Sequence, residues 1–184
     1  WTSSNLRSGT YRVREAFDSL PNQDVADTVV VNVQGDEPFI AASQLLALKE
    51  CFTSDDTQIA TLVKPFAVSD GFAALSNPNS PKVVVDDSMR ALYFSRSVIP
   101  YLRGVETKEW LSKHTYYKHI GVYAYRAEVL RHITELPQSS LEIAESLEQL
   151  RWLQAGYTIR VGVTNVETIG IDTPADLEKA EAFL

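Results

Sequence analysis

Apolar residues along the chain switch between two spacings. Val13, Ala16, Phe17 and Leu20 recur at intervals of three and four, which predicts one face of a helix, with Thr10 placed to cap it. Thr28-Val29-Val30-Val31-Asn32-Val33 is instead a β-branched run, apolar on both faces. Such a run predicts a buried central strand of a mostly parallel sheet. Ser43 is placed to cap a helix through Leu45, Leu46, Leu48, Lys49 and Phe52, and residues 59–63 predict a second buried strand. Residues 69–75 predict a short helix. The runs 82–86 and 91–95 flank Asp87-Ser88-Met89-Arg90 and predict a hairpin, which makes the sheet mixed.

Residues 96–118 hold Pro100, Gly104 and many charges, and predict a long excursion. Strand 121–125 follows, then a helix over 127–136 stopped by Pro137. Ser139 or Ser140 caps a predicted helix over 141–155, with Gly156 as its left-handed terminator. A strand over 158–163 precedes Thr173-Pro174-Ala175-Asp176, where Thr at the cap and Pro at the first helical position open a last helix. Alternating helical and strand patterns of this kind give an α/β layer architecture.

Composition changes this picture little: 184 residues, 45% hydrophobic and 22% charged, suit one α/β domain with a substantial core. The net charge of -7 argues against nucleic acid, which calls for a basic surface, but not against a nucleotide. The single cysteine, Cys51, sits among leucines and reads as a small buried filler in a reducing cytosol. No apolar run approaches membrane-spanning length.

Candidate chemistry gathers at the ends of strands. Gln34-Gly35-Asp36-Glu37-Pro38 follows the valine run, and in open α/β sheets ligands bind outside the carboxyl ends of strands. An acid there is either a solvated turn residue or a ligand for Mg²⁺, which takes hard oxygen donors. Asp172, just before the Thr173 cap, has the same two readings, with helix-start chemistry the simpler one. Ser8-Gly9-Thr10 opens a helix whose free N–H groups and close backbone suit a ligand, but it is no Walker loop. His119 is a lone histidine with either a structural or a ligand role. Glu142, Glu145 and Glu148 repeat every three residues and read as a solvated helix face. Arg96, Arg126 and Arg151 are scattered; any of them suits a sugar carboxylate by bidentate pairing.

Several segments, in order over essentially the whole chain, resemble the 3-deoxy-manno-octulosonate cytidylyltransferase (CMP-Kdo synthetase) family. They are Ser8-Gly9-Thr10, Val31-Asn32-Val33-Gln34-Gly35-Asp36-Glu37-Pro38, Ala91-Leu92-Tyr93-Phe94-Ser95-Arg96 and His119-Ile120-Gly121-Val122-Tyr123-Ala124-Tyr125-Arg126. Leu147-Glu148-Gln149-Leu150-Arg151 and Asp172-Thr173-Pro174 followed by Asp176-Leu177 complete the set. The resemblance implies a three-layer α/β fold of the nucleotide-diphospho-sugar transferase type, with a mostly parallel central sheet and some antiparallel strands. It implies transfer of CMP from CTP to the sugar acid Kdo in the bacterial cytoplasm, for lipopolysaccharide synthesis.

The same resemblance implies that Asp36 and Asp172 are catalytic and hold Mg²⁺. Gln34, Arg96, His119, Tyr123, Glu148 and Gln149 would line the sugar site, and Ser8 and Gly9 would approach the cytosine. It also implies a homodimer, for which the region 96–126 is the expected contact. The chain departs from the family at Asn5-Leu6 and Tyr11, and reads as a single cytidylyltransferase domain, 1–184, that lacks the family's N-terminal triphosphate-gripping segment. Two further readings stand beside this one: an acylneuraminate (sialic acid) cytidylyltransferase, and a non-catalytic dimeric remnant that binds a sugar acid.

Overall fold

The longest strand organises the sheet. The structure, a computed structural model, describes residues 2–21, 24–35 and 39–166. Strand β5 (Tyr117–Arg126) pairs along one edge with β2 (Ile59–Pro65). Along its other edge it pairs with two strands placed end to end, β1 (Val29–Asn32) and β3 (Lys82–Val85). The sheet ends on one side in β4 (Ala91–Ser95), hairpinned to β3, and on the other in β6 (Ile159–Val163), parallel to β2. Strands β1, β2, β3 and β6 run in one direction and β4 and β5 in the other, so the sheet is mixed, as the hairpin predicts.

Strand alternation sends side chains to two faces, and each face has its own core. Ile59, Val63, Tyr123, Tyr125, Val161, Leu130, Leu150 and Trp152 form one cluster. The helices on that side include α1 (Gly9–Asp18), α5 (Ala127–Ile133), α6 (Ser140–Glu145) and α7 (Gln149–Gln154). Ala60, Leu62, Ile120, Val122 and Ala124 form the second cluster with Leu48 and Cys51 of α2 (Ala42–Cys51). Helix, sheet, helix is the expected three-layer order. Cys51 is the buried filler the sequence predicts, and burial pushes its thiol pKa up. The excursion after β4 builds a third, satellite core. Trp110 of α4 (Trp110–Lys113) and Tyr116 pack there with Phe72 and Leu75 of α3 (Gly71–Leu75).

Four local expectations change. Thr10 lies inside the first turn of α1, and Ser8 is the cap. Ser43 lies inside α2; the N-cap is Ala41, whose N–H donates to the side-chain Oε1 of Gln44 at 2.9 Å. The valine run is not buried on both faces: among the described residues β1 pairs only with β5, and Val31 is 42% exposed. The helix expected over 141–155 is two helices, broken where Ser146 turns left-handed at φ 51°, ψ 48°. Gly156 does take the left-handed conformation after α7, at φ 89°. The helix expected from Thr173 lies outside the described residues.

Candidate active site

Because β1 and β3 share one edge of β5, the stretch of β5 between them has, among the described residues, no strand on that side. The strand also bulges there. Thr61 faces Tyr123 but the next residue, Leu62, faces Ile120, so Gly121 and Val122 are extra. A bulge of this kind bends the strand and re-aims its side chains. The Thr61 hydroxyl pins it, 2.9 Å from the Val122 carbonyl and 3.2 Å from that of Ile120. The same hydroxyl is 3.0 Å from Nε2 of His119.

The carboxyl end of β1 arrives at this bulge. Gln34 donates from Nε2 to the Gly121 carbonyl at 3.3 Å. Gly9, at the start of α1, sits against Asn32 and Gln34: a Cβ on Gly9 would meet Asn32 Nδ2 at 3.6 Å and Gln34 Cδ at 3.9 Å. The His119 and Tyr123 rings lie 5.4 Å apart, Tyr123 stacks on Tyr125 at 6.0 Å, and Trp152 stands edge-on to both tyrosines. Burial pushes the His119 pKa down to about 3, so the ring is neutral at physiological pH. Burial, then Tyr125 and Glu148, hold the Tyr123 phenol well above its ordinary value.

Glu148 ties the first turn of α1 to the start of α7. It accepts from Ser8 Oγ at 3.0 Å and from Thr10 Oγ1 at 2.7 Å. Arg151, only 3% exposed, donates to the same carboxylate and to the Tyr11 hydroxyl at 3.1 Å, and pairs with Glu142 at 3.5 Å. The solvated face expected for the three glutamates is therefore wrong. Glu142 reciprocates the Ser139 cap, and Glu145 accepts from Ser95 Oγ at 2.6 Å and the Arg96 N–H at 2.9 Å. Their regular spacing misled because the helix it implies stops at Glu145. Gln149 is buried, and among the described residues its Nε2 has no acceptor, which leaves an amide donor for a ligand.

Arg96 occupies a different place. Its guanidinium donates to the carbonyls of Glu145 (2.7 Å), Pro78 (2.9 Å) and Ser146 (3.3 Å). It thus takes up carbonyls freed at the end of α6. Its own carbonyl accepts from Lys82 Nζ at 2.7 Å, and that fully buried ammonium also donates to Asn77 O at 2.9 Å. Desolvation lowers the Lys82 pKa, partly opposed by Glu145. Of the expected site residues, then, the structure joins Ser8 to Glu148, Gly9 to Gln34 and His119 to Tyr123. It sets the Arg96 guanidinium on main-chain carbonyls. Asp36 and Asp172 lie outside the described residues.

Sequence reasoning missed the partners of three residues. It placed Thr10 as a cap in the Ser8-Gly9-Thr10 motif, Arg151 as one of three arginines suited to a sugar carboxylate, and Thr61 only within strand 59–63; contacts from distant segments reveal what each one meets. The assembled corner offers neutral hydrogen-bonding groups, one Arg-paired carboxylate and an amide donor. That set suits a polyhydroxylated ligand.

Comparison with known proteins agrees. A family model described as cytidylyltransferase matches residues 1–182. The 3-deoxy-manno-octulosonate cytidylyltransferase of Phocaeicola vulgatus is 65% identical over 183 residues, covering 100% of this chain and 71% of its own length. That of Parabacteroides distasonis is 60% identical, covering 100% and 72%. A solved CMP:2-keto-3-deoxy-manno-octonic acid synthetase complexed with CTP superposes with a TM-score of 0.84 at 38% identity, over 99% of this chain and 70% of that one. The chain belongs to the cytidylyltransferase family, among its 3-deoxy-manno-octulosonate members.

Proposed function

We propose that the protein transfers CMP from CTP to the anomeric hydroxyl of Kdo, giving CMP-Kdo and pyrophosphate. One observation carries the reading: the corner of Gln34, His119 and Tyr123, closed by the Ser8–Glu148 bridge, lies in a chain that matches a CTP-complexed synthetase along nearly its whole length. The anomeric oxygen attacks the α-phosphorus in line. The bond from that phosphorus to the bridging oxygen breaks, pyrophosphate leaves, and the hydroxyl proton is released. Little covalent chemistry falls to the protein, so rate comes from positioning and from neutralising charge.

Neutral His119, the Tyr123 phenol, the Gln34 amide and the Gln149 Nε2 hydrogen-bond the sugar; Glu148 keeps their frame closed; Arg96 braces it. Ser8 and Gly9 approach the cytosine. Mg²⁺ is the cofactor that fits: Asp36 follows Gly35 in sequence just after β1, and with Asp172 it offers the one or two hard carboxylates this ion takes from protein. Bound there, Mg²⁺ would neutralise phosphate charge. The reading extends to a homodimer through the region 96–126, to a cytoplasmic location and to a place in lipopolysaccharide synthesis. Among the described residues no helix is long and apolar enough to cross a membrane. Pyrophosphate release by the native full-length protein tests the core claim: it is expected with CTP, Kdo and Mg²⁺ together, and turnover with sialic acid in place of Kdo would overturn it.

A further inference from the structure

Among the described residues the Thr61 hydroxyl, with its one proton, makes three contacts within hydrogen-bond distance, and it also bears on the Tyr123 phenol, which can donate to it without competing for the carbonyls. Two of these, the Ile120 and Val122 carbonyls, can only accept. The third, His119 Nε2, either donates or accepts according to tautomer. Thr61 is fully buried, so water does not relieve a mismatch. All three contacts are satisfied only when the Thr61 proton goes to the carbonyls and the ring donates from Nε2. From this we infer that Thr61 is a positioning residue that fixes His119 as the Nε2–H tautomer and leaves Nδ1 as an acceptor for a sugar hydroxyl.

Geometry beyond the one distance supports it. Thr61 sits on β2 opposite the bulge, so the residue that pins the extra residues of β5 also sets the proton on the ring that the bulge aims. Phe94 and Tyr123 hold that ring edge-on and tilted, at 5.2 and 5.4 Å, which limits its rotation. The depressed His119 pKa keeps the ring neutral, the state in which tautomers are distinct. The acceptor role of Nδ1 rests on the proposed sugar site; the tautomer itself does not.

Nitrogen-15 NMR of the imidazole in the unliganded protein decides the first part. At pH 7 the spectrum should show protonated Nε2 and unprotonated Nδ1; a dominant Nδ1–H tautomer overturns the inference. Thr61→Val keeps the shape and removes the hydroxyl. It should mix the tautomers and weaken Kdo binding, measured by calorimetry, about tenfold, with CTP binding within twofold of the parent. Thr61→Ser should restore both. An unchanged tautomer in Thr61→Val, or equal losses for Kdo and CTP, overturns the positioning role; should Thr61→Val not fold, the parent spectrum together with Thr61→Ser still decides. Failure of the parent protein to bind Kdo while showing the Nε2–H tautomer counts against the proposed function and leaves the proton assignment supported.

Discussion

Glu148 shows how much one side chain can carry. It takes hydrogen bonds from Ser8, Thr10 and Arg151, and without it Arg151 still has Glu142, Tyr11 and the Leu136 carbonyl. Charge-assisted bonds of this kind contribute about 1.5–3 kcal/mol each, and Arg151 retains partners. Glu148→Ala should therefore cost about 2–3 kcal/mol of stability in urea unfolding and abolish turnover; a variant as stable as the parent would show the bridge to be ornamental. His119 yields a prediction in pH. Its folded pKa, about 3, lies below the ordinary value of about 6.5. Between those values the unfolded chain takes up a proton that the folded protein refuses, so stability falls as pH drops through that window. The slope from this group is at most about 1.4 kcal/mol per pH unit. His119→Gln should flatten the curve between pH 6 and 4 relative to the parent, read by urea midpoints at each pH. Neither Glu148 nor Thr61 declares its partners in sequence. Beside its near neighbour Arg151, the hydroxyl partners of Glu148 lie 138 and 140 residues away, and Thr61 meets His119 across 58.

At the scale of elements, strand identity was legible because short β-branched, apolar runs bounded by turn residues mark strands, and both the 82–95 hairpin and the 159–163 strand stand where those runs put them. The break between α6 and α7 was not. Periodicity runs straight through 141–155, while the interruption is enforced from outside by Glu145 reaching Ser95 and Arg96, and by Arg96 taking the Glu145 and Ser146 carbonyls. Glu145→Ala should let that junction loosen. Amide exchange across 140–151 is expected to quicken several-fold, with Kdo affinity lowered more than CTP affinity; unchanged exchange would mean that the break holds itself. Packing between α2 and β6 is a separate constraint. A methyl on Gly162 would fall 2.9 Å from Leu62 Cδ2 and 3.2 Å from the Ala47 carbonyl, and the latter is main chain. Gly162→Ala should destabilise by about 1–3 kcal/mol, visible as a lowered Tm.

For the molecule as a whole, the layers were readable and the site was half readable. Alternating patterns predict helices on both faces of a mixed sheet, and two cores on opposite faces of β2 and β5 bear that out. The site required the ordered set of segments, because no local pattern distinguishes Gln34 at a ligand corner from Gln34 in a turn. Ligand linkage tests the assembled molecule: Mg-CTP at a hundred times its Kd should raise unfolding free energy by about 2.7 kcal/mol. An unmoved transition would show that the nucleotide end does not operate.

The strand that joins three others also carries His119, Tyr123 and the bulge between them. Tolerance to change should therefore be lowest along β5, where one substitution loses pairing on both edges and the ligand corner together. A survey of variants scored by activity alone would rank residues 117–126 as uniformly essential and hide which of them touch substrate. The informative positions are those that reach the bulge from elsewhere, Gln34 from β1 and Thr61 from β2, because they alter the corner without breaking the strand that builds it.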